Sequence, residues 1–249
     1  ASGRAHGPVA VAFTPDEETG LGIAGFDVEG FGAAYAYTVD GGEVGELSYE
    51  NFNACEATLD FRGVNVHPGS AKDTMVNASL LAMEYNAMLP SAETPRHTEG
   101  YEGFFHLEEM EGDVAHARLV YIVRDHDAGR FEARRDQLRH IAKVMNERWG
   151  EGAVTLTLRD QYRNMKEKIA PYPFLIENAR AAMRAAGCEP FDAAVRGGTD
   201  GAQLCYRGLP CPNLCTGGFA FHGPFEHIAA EDMELCARML EELICLPRK

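Results

Sequence analysis

Two adjacent carboxylates, Glu17 and Glu18, follow closely on an apolar run at residues 9–13. Paired acids at the end of a buried strand are unfavourable unless a cation or a transferred proton compensates their charge. The ends of strands in open α/β sheets are also where such proteins place their sites. The doublet therefore predicts an acid pair that takes part in chemistry, with a solvated turn as the plainer alternative.

Asp40 and His222 also lie next to predicted strand ends, each followed by glycine. Carboxylate oxygen and imidazole nitrogen are ligands of zinc and related divalent ions. In a Glu-Glu pair, one residue can bind a metal while the other takes a proton from water and returns it to a leaving amine. The alternatives are a turn acid for Asp40 and a loop histidine for His222. Asp40 and His222, taken with the Glu17-Glu18 doublet, predict a metallohydrolase site.

Two further residues stand where they could contact a substrate. His67 lies in a loop of small residues and could donate to a developing oxyanion, with an exposed turn histidine as the alternative. Arg196 precedes Gly-Gly-Thr-Asp-Gly, where a guanidinium could grip a carboxylate and glycines let the backbone approach it. The alternative for that stretch is a helix N-terminus capped by Thr199 or Asp200.

Composition narrows the classes of partner. The 249 residues carry a net charge of −15, and the pI is near 5.0, which argues against nucleic-acid or anionic-membrane partners. No apolar run approaches the length of a membrane span, and no secretory leader opens the chain. The seven cysteines are odd in number and irregularly spaced in a chain without an export signal, which predicts reduced thiols and a cytoplasmic protein. The Cys211-x₃-Cys215 spacing with His222 would permit a structural zinc site, but the second pair expected of a zinc finger is missing.

The pattern of apolar residues predicts an α/β domain interrupted by an insertion. Residues 1–53 and 164–249 form the first and second segments of the α/β domain, and residues 54–163 form the insertion. The insertion has the order strand, helix, strand, strand, helix, strand, which is the split βαβ arrangement of a ferredoxin-like domain.

Within the α/β domain, residues 9–13 are predicted as the first strand and residues 34–39 as the second. A short helix lies between them at 27–31, and a hairpin-like section follows the second strand. In the second segment, Pro173 begins a helix that ends at Gly187. Short strands and a last helix complete the chain.

Five motifs, taken in order, resemble the peptidase T family. They are Val-Ala-Phe-Thr-Pro-Asp-Glu17-Glu18, Tyr-Thr-Val-Asp40-Gly-Gly, Asn-Val-His67-Pro-Gly, Arg196-Gly-Gly-Thr-Asp-Gly, and Leu-Pro-Cys-Pro-Asn-Leu-Cys-Thr-Gly-Gly with Phe-His222-Gly. That family comprises tripeptide aminopeptidases with two co-catalytic zinc ions, so the resemblance implies a zinc-dependent enzyme that releases the N-terminal residue of tripeptides. It implies a zinc-exopeptidase-type α/β catalytic domain with an inserted ferredoxin-like lid, through which a homodimer forms.

The resemblance also implies a role for each matching residue. Glu17 resembles the general base, Glu18 and His222 the ligands of one zinc ion, and Asp40 a ligand of the other. His67 resembles the lid histidine that polarises the scissile carbonyl in a neighbouring subunit's site.

The same resemblance extends to the residues that would grip the substrate. Arg196 resembles a contact to the substrate carboxylate, and Asn77 and Arg124 in the insertion are further candidates for that role.

One feature of the family is absent from this sequence. The family's first strands carry a His-x-Asp motif and a further aspartate that bridges the metals, whereas none of the nine histidines here belongs to a His-x-Asp motif. The chain therefore resembles a peptidase T without its N-terminal part, and we expect it to have little activity by itself. The alternatives are a non-catalytic dimerisation fragment and an amidohydrolase acting on N-acyl amino acids.

Overall fold

The chain passes from one folding unit into a second and then returns to the first. A computed structural model describes residues 3–246. Residues up to Asn51 and from Arg163 onward form what we call the discontinuous unit, and Phe52–Tyr162 form the inserted unit. Each unit has its own hydrophobic core.

Alternating apolar residues form the strands, and apolar residues at helical spacing form the longer helices. The strands are β1 (Thr38–Gly41), β2 (Glu46–Asn51), β3 (Asn53–Arg62), β4 (Phe104–Gly112), β5 (His116–Asp125), β6 (Val154–Tyr162), β7 (Phe191–Val195), β8 (Asn213–Cys215), β9 (Gly218–Phe219) and β10 (His227–Ile228). The helices are α1 (Val28–Phe31), α2 (Ala78–Ala87), α3 (Ala128–Trp149), α4 (Lys166–Ile169), α5 (Pro173–Ala186), α6 (Asp200–Tyr206) and α7 (Ala230–Cys245). Among residues 3–246, no helix has the length and apolar character needed to cross a membrane.

The inserted unit is a four-stranded antiparallel sheet of order β4-β5-β3-β6. From Cys55 to Phe61, every second residue of β3 is apolar and fully buried. These side chains share one core with Tyr85 of α2 and Leu138 of α3. The strand order is that of the split βαβ arrangement, so the predicted ferredoxin-like insertion is confirmed.

The discontinuous unit contains a mixed sheet of order β1-β8-β2-β7. β1 is parallel to β8 and β2 is parallel to β7, whereas β2 and β8 pair antiparallel. Leu47 of β2 and Leu214 of β8 are fully buried in one core with Met183 of α5 and Met239 of α7. The predicted α/β class is confirmed.

The helix predicted from Pro173 to Gly187 is α5. Proline occupies its first turn, where no N–H is needed, and Gly187 ends it with φ of 96°, a left-handed conformation that glycine adopts without strain. The short helix at 27–31 is also present as α1, with the Asp27 side chain accepting the N–H of Gly30.

The strand predicted at residues 9–13 is wrong. This segment is irregular and exposed, and the Phe13 side chain is 95% exposed. An extended apolar segment becomes a strand only when a neighbour takes up its backbone hydrogen bonds. No strand among residues 3–246 pairs with it.

The hairpin predicted after the second strand is also wrong. β1 begins at Thr38 rather than residue 34, and β8 lies between β1 and β2 in the sheet. The residues before β1 contact other parts of the chain instead of forming a strand. The Ala36 N–H donates to the Pro210 carbonyl, and the Tyr35 ring packs against Phe174. Adjacency in sequence therefore does not produce adjacency in this sheet.

Candidate active site

Glu17 and Glu18 lie on a short 3₁₀ turn, Glu17–Thr19. Asp16 enters the turn with φ of 60° and Gly20 leaves it with φ of 73°. The N–H groups of Thr19 and Gly20 donate to the Asp16 and Glu17 carbonyls. A left-handed aspartate costs free energy, and such residues are concentrated at functional turns.

Asp40 lies at an irregularity of β1. The register of β1 against β8 shifts between Val39 and Gly41, and the Asp40 N–H donates to Asn213 Oδ1 at 3.1 Å. A Cβ at Gly41 would lie 2.8 Å from the carbonyl oxygen of Leu214, so only glycine fits there. Bulges of this kind redirect a side chain away from the regular ladder, which is how Asp40 is presented.

His222 lies on a loop that also contains left-handed residues other than glycine, with φ of 54° at Ala220 and 62° at His222. The His222 N–H donates to Glu226 Oε2 at 2.9 Å. His222 Nε2 lies 3.5 Å from Glu18 Oε2. Two ligands of one tetrahedral zinc ion are about 3.4 Å apart, so this is a separation that a shared ion permits.

The acids of this cluster repel one another. Desolvation, followed by the charges of Asp40, Asp200 and Glu18, raises the pKa of Glu17 to about 7, and His222 opposes the shift. Asp40 still meets solvent, but desolvation followed by the charge of Glu18 raises its pKa as well. A carboxyl with a pKa near 7 is suited to accept and return a proton at neutral pH.

The fit of this cluster to zinc is partial. Carboxylate and imidazole donors suit zinc, and Glu18 and His222 have the required separation. Catalytic zinc sites use at least three protein ligands, however, and no group of three or more histidine, cysteine, aspartate or glutamate side chains within residues 3–246 is arranged to hold a metal ion. The described residues therefore supply part of a zinc ligand set and not a complete one.

Asp200 belongs to the cluster, although the sequence suggested only a helix cap for it or for Thr199. Thr199 is the cap, since its Oγ1 accepts the Ala202 N–H at 3.0 Å. Asp200 is instead buried, with only 4% exposed, and its Oδ2 accepts a hydrogen bond from Thr14 Oγ1 at 2.8 Å. The only sequence signal for it was the acid directly after a good cap, which does not specify a partner 186 residues away.

His67 lies in the inserted unit, at the start of the 3₁₀ turn Pro68–Ser70. Its side chain is exposed to solvent in part, and Nδ1 accepts the N–H of Gly69 at 3.1 Å. A neutral imidazole that accepts at Nδ1 carries its proton on Nε2. His67 therefore presents a hydrogen-bond donor at Nε2.

The three residues predicted to contact the substrate carboxylate have different surroundings. Arg196 follows β7 directly in the discontinuous unit and is half-buried. In the inserted unit, Asn77 caps α2 because its Oδ1 accepts the Leu80 N–H at 3.3 Å. Arg124 of β5 lies over the Tyr162 ring, 5.5 Å from its centre.

The cysteines form no disulfide. All seven are free, and Cys211 and Cys215 are fully buried. The Cys211 N–H donates to Cys205 Sγ at 3.2 Å, and Cys215 Sγ lies 4.0 Å from Cys236 Sγ. These residues behave as small apolar side chains of the core.

Comparison with known proteins identifies relatives of both units. Residues 49–152 match a family model described as a peptidase dimerisation domain. The chain is 51% identical over 238 residues to peptidase T of Bacillus mycoides and 53% identical over 238 residues to peptidase T of Listeria monocytogenes. Each match covers 96% of this chain and 58% of the relative, so the chain spans just under three fifths of the length of these curated relatives.

Solved structures share the fold. A tripeptidase from Staphylococcus aureus superposes with a TM-score of 0.81 at 20% identity, and the aminopeptidase PepT of Bacillus cereus with 0.77 at 24% identity. Each of these two superpositions covers 93% of this chain and 62% of the solved chain. A dinuclear metal-binding peptidase of the M20 family from Bacillus subtilis superposes with a TM-score of 0.67 at 14% identity, covering 94% of this chain and 63% of the other.

Proposed function

The chain is homologous to peptidase T over 96% of its length, and we propose from this that it carries the general base and part of the metal ligands of a tripeptide aminopeptidase. Its relatives of known name are peptidases, and solved structures with its fold include an aminopeptidase and a tripeptidase. The proposed reaction is hydrolysis of the first peptide bond of a tripeptide, which releases the N-terminal residue.

One observation carries the proposal: a Glu–His pair at ligand distance lies beside a carboxyl whose pKa is near neutral. Glu18 and His222 are the pair, and Glu17 is the carboxyl. In the proposed reaction Glu17 takes a proton from the attacking water and returns it to the amine that leaves. Metal ions, with zinc as our proposal, would polarise the scissile carbonyl and lower the pKa of that water. Asp40 is proposed as a ligand of the second ion.

His67 is proposed to stabilise the oxyanion that forms when water attacks. Its contact with Gly69 leaves the proton on Nε2, so the neutral ring can donate a hydrogen bond to the carbonyl oxygen as negative charge develops there. In the proposed dimer this donor acts on a substrate held by the neighbouring subunit. Arg196, Asn77 and Arg124 are proposed to bind the substrate carboxylate, which selects short peptides with a free C-terminus.

A chimera tests this function, because this chain spans 58% of its curated relatives. The residues of the Bacillus mycoides relative that the match leaves uncovered are joined to this chain in the relative's own order. We expect the chimera to hydrolyse a simple tripeptide when zinc is added, and to lose turnover with a chelator. Replacement of the base, Glu17→Gln, should lower kcat by at least about 100-fold, whereas Glu29→Gln at an exposed position should change it little.

Each result of the chimera experiment has a defined meaning. Zinc-dependent hydrolysis of tripeptides, but not of an acetylated amino acid, supports the proposal. A folded, metal-loaded chimera that cleaves the acetylated amino acid and leaves tripeptides intact contradicts it in favour of an amidohydrolase. Turnover by the 249-residue chain alone would contradict the view that further ligands are needed.

A homodimer is proposed to form through the inserted unit, whose residues 49–152 match the dimerisation-domain model. α2 exposes Leu80 and Met83, at 61% and 57%, beside a cavity of about 420 Å³ that Met75 and Trp149 help to line. Sedimentation velocity should detect a dimer that Leu80→Glu dissociates. The charge change Lys143→Glu on α3 is the control and should leave the dimer intact.

We also propose a cytoplasmic location. All seven cysteines are free, and five of them are buried, which is typical of proteins from a reducing compartment. Fractionation of the cells that make the protein tests this location, and recovery with the secreted proteins would contradict it.

A further inference from the structure

The turn that carries Glu17 and Glu18 has no core of its own. None of its residues is buried, and Asp16 before it makes no side-chain capping bond. Its backbone hydrogen bonds are short-range, as in the pair from Leu21 N–H and Thr19 N–H to the Asp16 carbonyl. An exposed turn of this kind with a left-handed aspartate is not stable by itself, so contacts from elsewhere must hold its conformation.

Asp200 supplies such contacts at both ends of the segment. On the N-terminal side its Oδ2 accepts the hydroxyl of Thr14 at 2.8 Å. On the C-terminal side Gly22 packs so closely against the Asp200 carboxylate that a Cβ at this position would overlap both of its oxygens. One buried carboxylate thus touches the chain three residues before Glu17 and four residues after Glu18.

Residues on the same side of α6 also contact the segment that follows the acid turn. Gln203 and Arg207 lie three and seven residues after Asp200, a spacing that places all three on one side of a helix. Gln203 Nε2 donates to the Gly20 carbonyl at 3.5 Å, and the Arg207 guanidinium donates to the carbonyls of Ile23 and of residue 26. Gln203 of α6 and Arg207, which follows α6 directly, therefore hold the segment just after the acid turn.

The dipole of α6 favours an acid in its first turn, but this does not explain why the Asp200 carboxylate is buried. Thr199 already caps α6, and no cationic side chain pairs with Asp200 among residues 3–246. Its Oδ1 is buried and, within that same part of the chain, has no hydrogen-bond partner. A buried carboxylate that is only half satisfied lowers stability, so its presence next to the acid turn calls for a functional reason.

We infer that Asp200 is a positioning residue, which fixes the Glu17–Glu18 turn against α6 through Thr14 and Gly22. It acts through Glu17 and does not itself touch the substrate. The inference rests on the proposed function only for its catalytic consequence, because the contacts themselves are independent of any activity. It assigns the Arg-Gly-Gly-Thr-Asp-Gly stretch a second task besides substrate contact, namely to hold the base in place.

Amide hydrogen exchange on the 249-residue chain tests the positioning directly. The reporters are the N–H groups of Thr19, Gly20 and Leu21, which are hydrogen-bonded within the turn. Asp200→Ala should speed their exchange at least tenfold and leave the amides of α5 unchanged. Asp200→Asn should restore most of the protection, because its amide oxygen can still accept the Thr14 hydroxyl.

Two further variants keep the test decisive. Thr14→Val removes the hydroxyl but retains the carboxylate, and it should speed exchange as Asp200→Ala does. Asp192→Ala is the matched control, because Asp192 also accepts a hydroxyl, that of Tyr49, at 2.8 Å but lies on β7. It should leave the turn amides protected.

The opposite results would overturn the inference. Turn amides that exchange rapidly in the unmodified chain, or that keep their protection in both Asp200→Ala and Thr14→Val, contradict a positioning role. Equal loss of protection in the turn and in α5 indicates general destabilisation instead. In the chimera, Asp200→Ala should lower kcat at least tenfold and change KM by no more than about twofold. An inactive parent chimera would count against the proposed function. The hydrogen-exchange result would still test the positioning role by itself.

Discussion

Glu18 Oε2 and His222 Nε2 approach to 3.5 Å although each belongs to a separate loop of the discontinuous unit. Both side chains are about three-quarters exposed, so their attraction contributes little to stability. The left-handed backbone at His222 has a cost that this exposed pair does not offset. We therefore propose that this arrangement serves ligand binding rather than stability.

Removal of either residue should weaken metal binding. We expect the chain to bind zinc or cobalt weakly, and Glu18→Gln or His222→Asn to lower the affinity by about tenfold or more, because one of two adjacent ligands is lost. Isothermal titration calorimetry measures the affinity. His227→Asn, at an exposed histidine of β10, is the control and should bind as the parent does. Equal affinities in all four proteins would show that the pair is not a metal site.

The raised pKa of Glu17 predicts how the stability of the metal-free chain depends on pH. The folded state holds a proton up to about pH 7, whereas the unfolded state releases it near the ordinary value of 4.5. Between these values the folded state binds more protons, so the free energy of unfolding falls as pH rises from about 4.5 to 7. Urea denaturation at several pH values measures this fall.

The variant Glu17→Gln removes this proton uptake. Its unfolding free energy should therefore be flatter than that of the parent between pH 4.5 and 7, and higher than the parent's at neutral pH. Glu29→Gln, at an exposed glutamate, should keep the parent's slope. A parent whose stability rises over this interval would contradict the assigned pKa shift.

The inserted unit should fold when residues 52–162 are produced alone, because its sheet and core are complete within that range. Leu59→Ala should lower its free energy of unfolding by about 3 kcal/mol, since the fully buried side chain leaves a cavity. Thermal unfolding followed by circular dichroism measures both. Met110→Ala, at an exposed position of β4, should change stability by less than about 0.5 kcal/mol.

Thiol reactivity should divide the cysteines into two groups. Burial raises the pKa of Cys205 to about 11 and those of Cys211 and Cys236 to about 12, so little thiolate is present at pH 8. In the native chain we expect a disulfide reagent to modify Cys188 and Cys245 first, because these two alone among the described cysteines are not buried. In denaturant, all seven cysteines should react with the reagent. Rapid reaction of Cys211 in the native protein would contradict its burial.

The inserted unit was predictable because β3 alternates from Cys55 onward and β4 and β5 are joined by a short turn. Residues 9–13 form a continuous apolar run but remain exposed, since a strand needs a partner that a local pattern does not specify. The position of β8 between β1 and β2 was missed for a similar reason: three residues, Asn213–Cys215, are too few for a periodic signal.

Some residues of the candidate site could be predicted from the sequence, and others could not. Residue type and the resemblance to peptidase T indicated Glu18, Asp40 and His222, and the structure brings Glu18 and His222 together. The role of Asp200 depends on a hydrogen bond to Thr14 and on its contact with Gly22, and no sequence pattern encodes these contacts. Residues that contact one another across a fold are found only once the fold is known.

The sheet order β1-β8-β2-β7 determines which parts of this chain can fold early during synthesis. Thr38 pairs with Asn213, so β1 waits for most of the chain to be synthesised, whereas Phe52–Tyr162 can fold as soon as that stretch emerges. A nascent chain thus passes through a state with a finished inserted unit and an open edge at β1. Slow translation before residue 213 prolongs that state and favours aggregation, so synthesis rate becomes a determinant of yield for this protein.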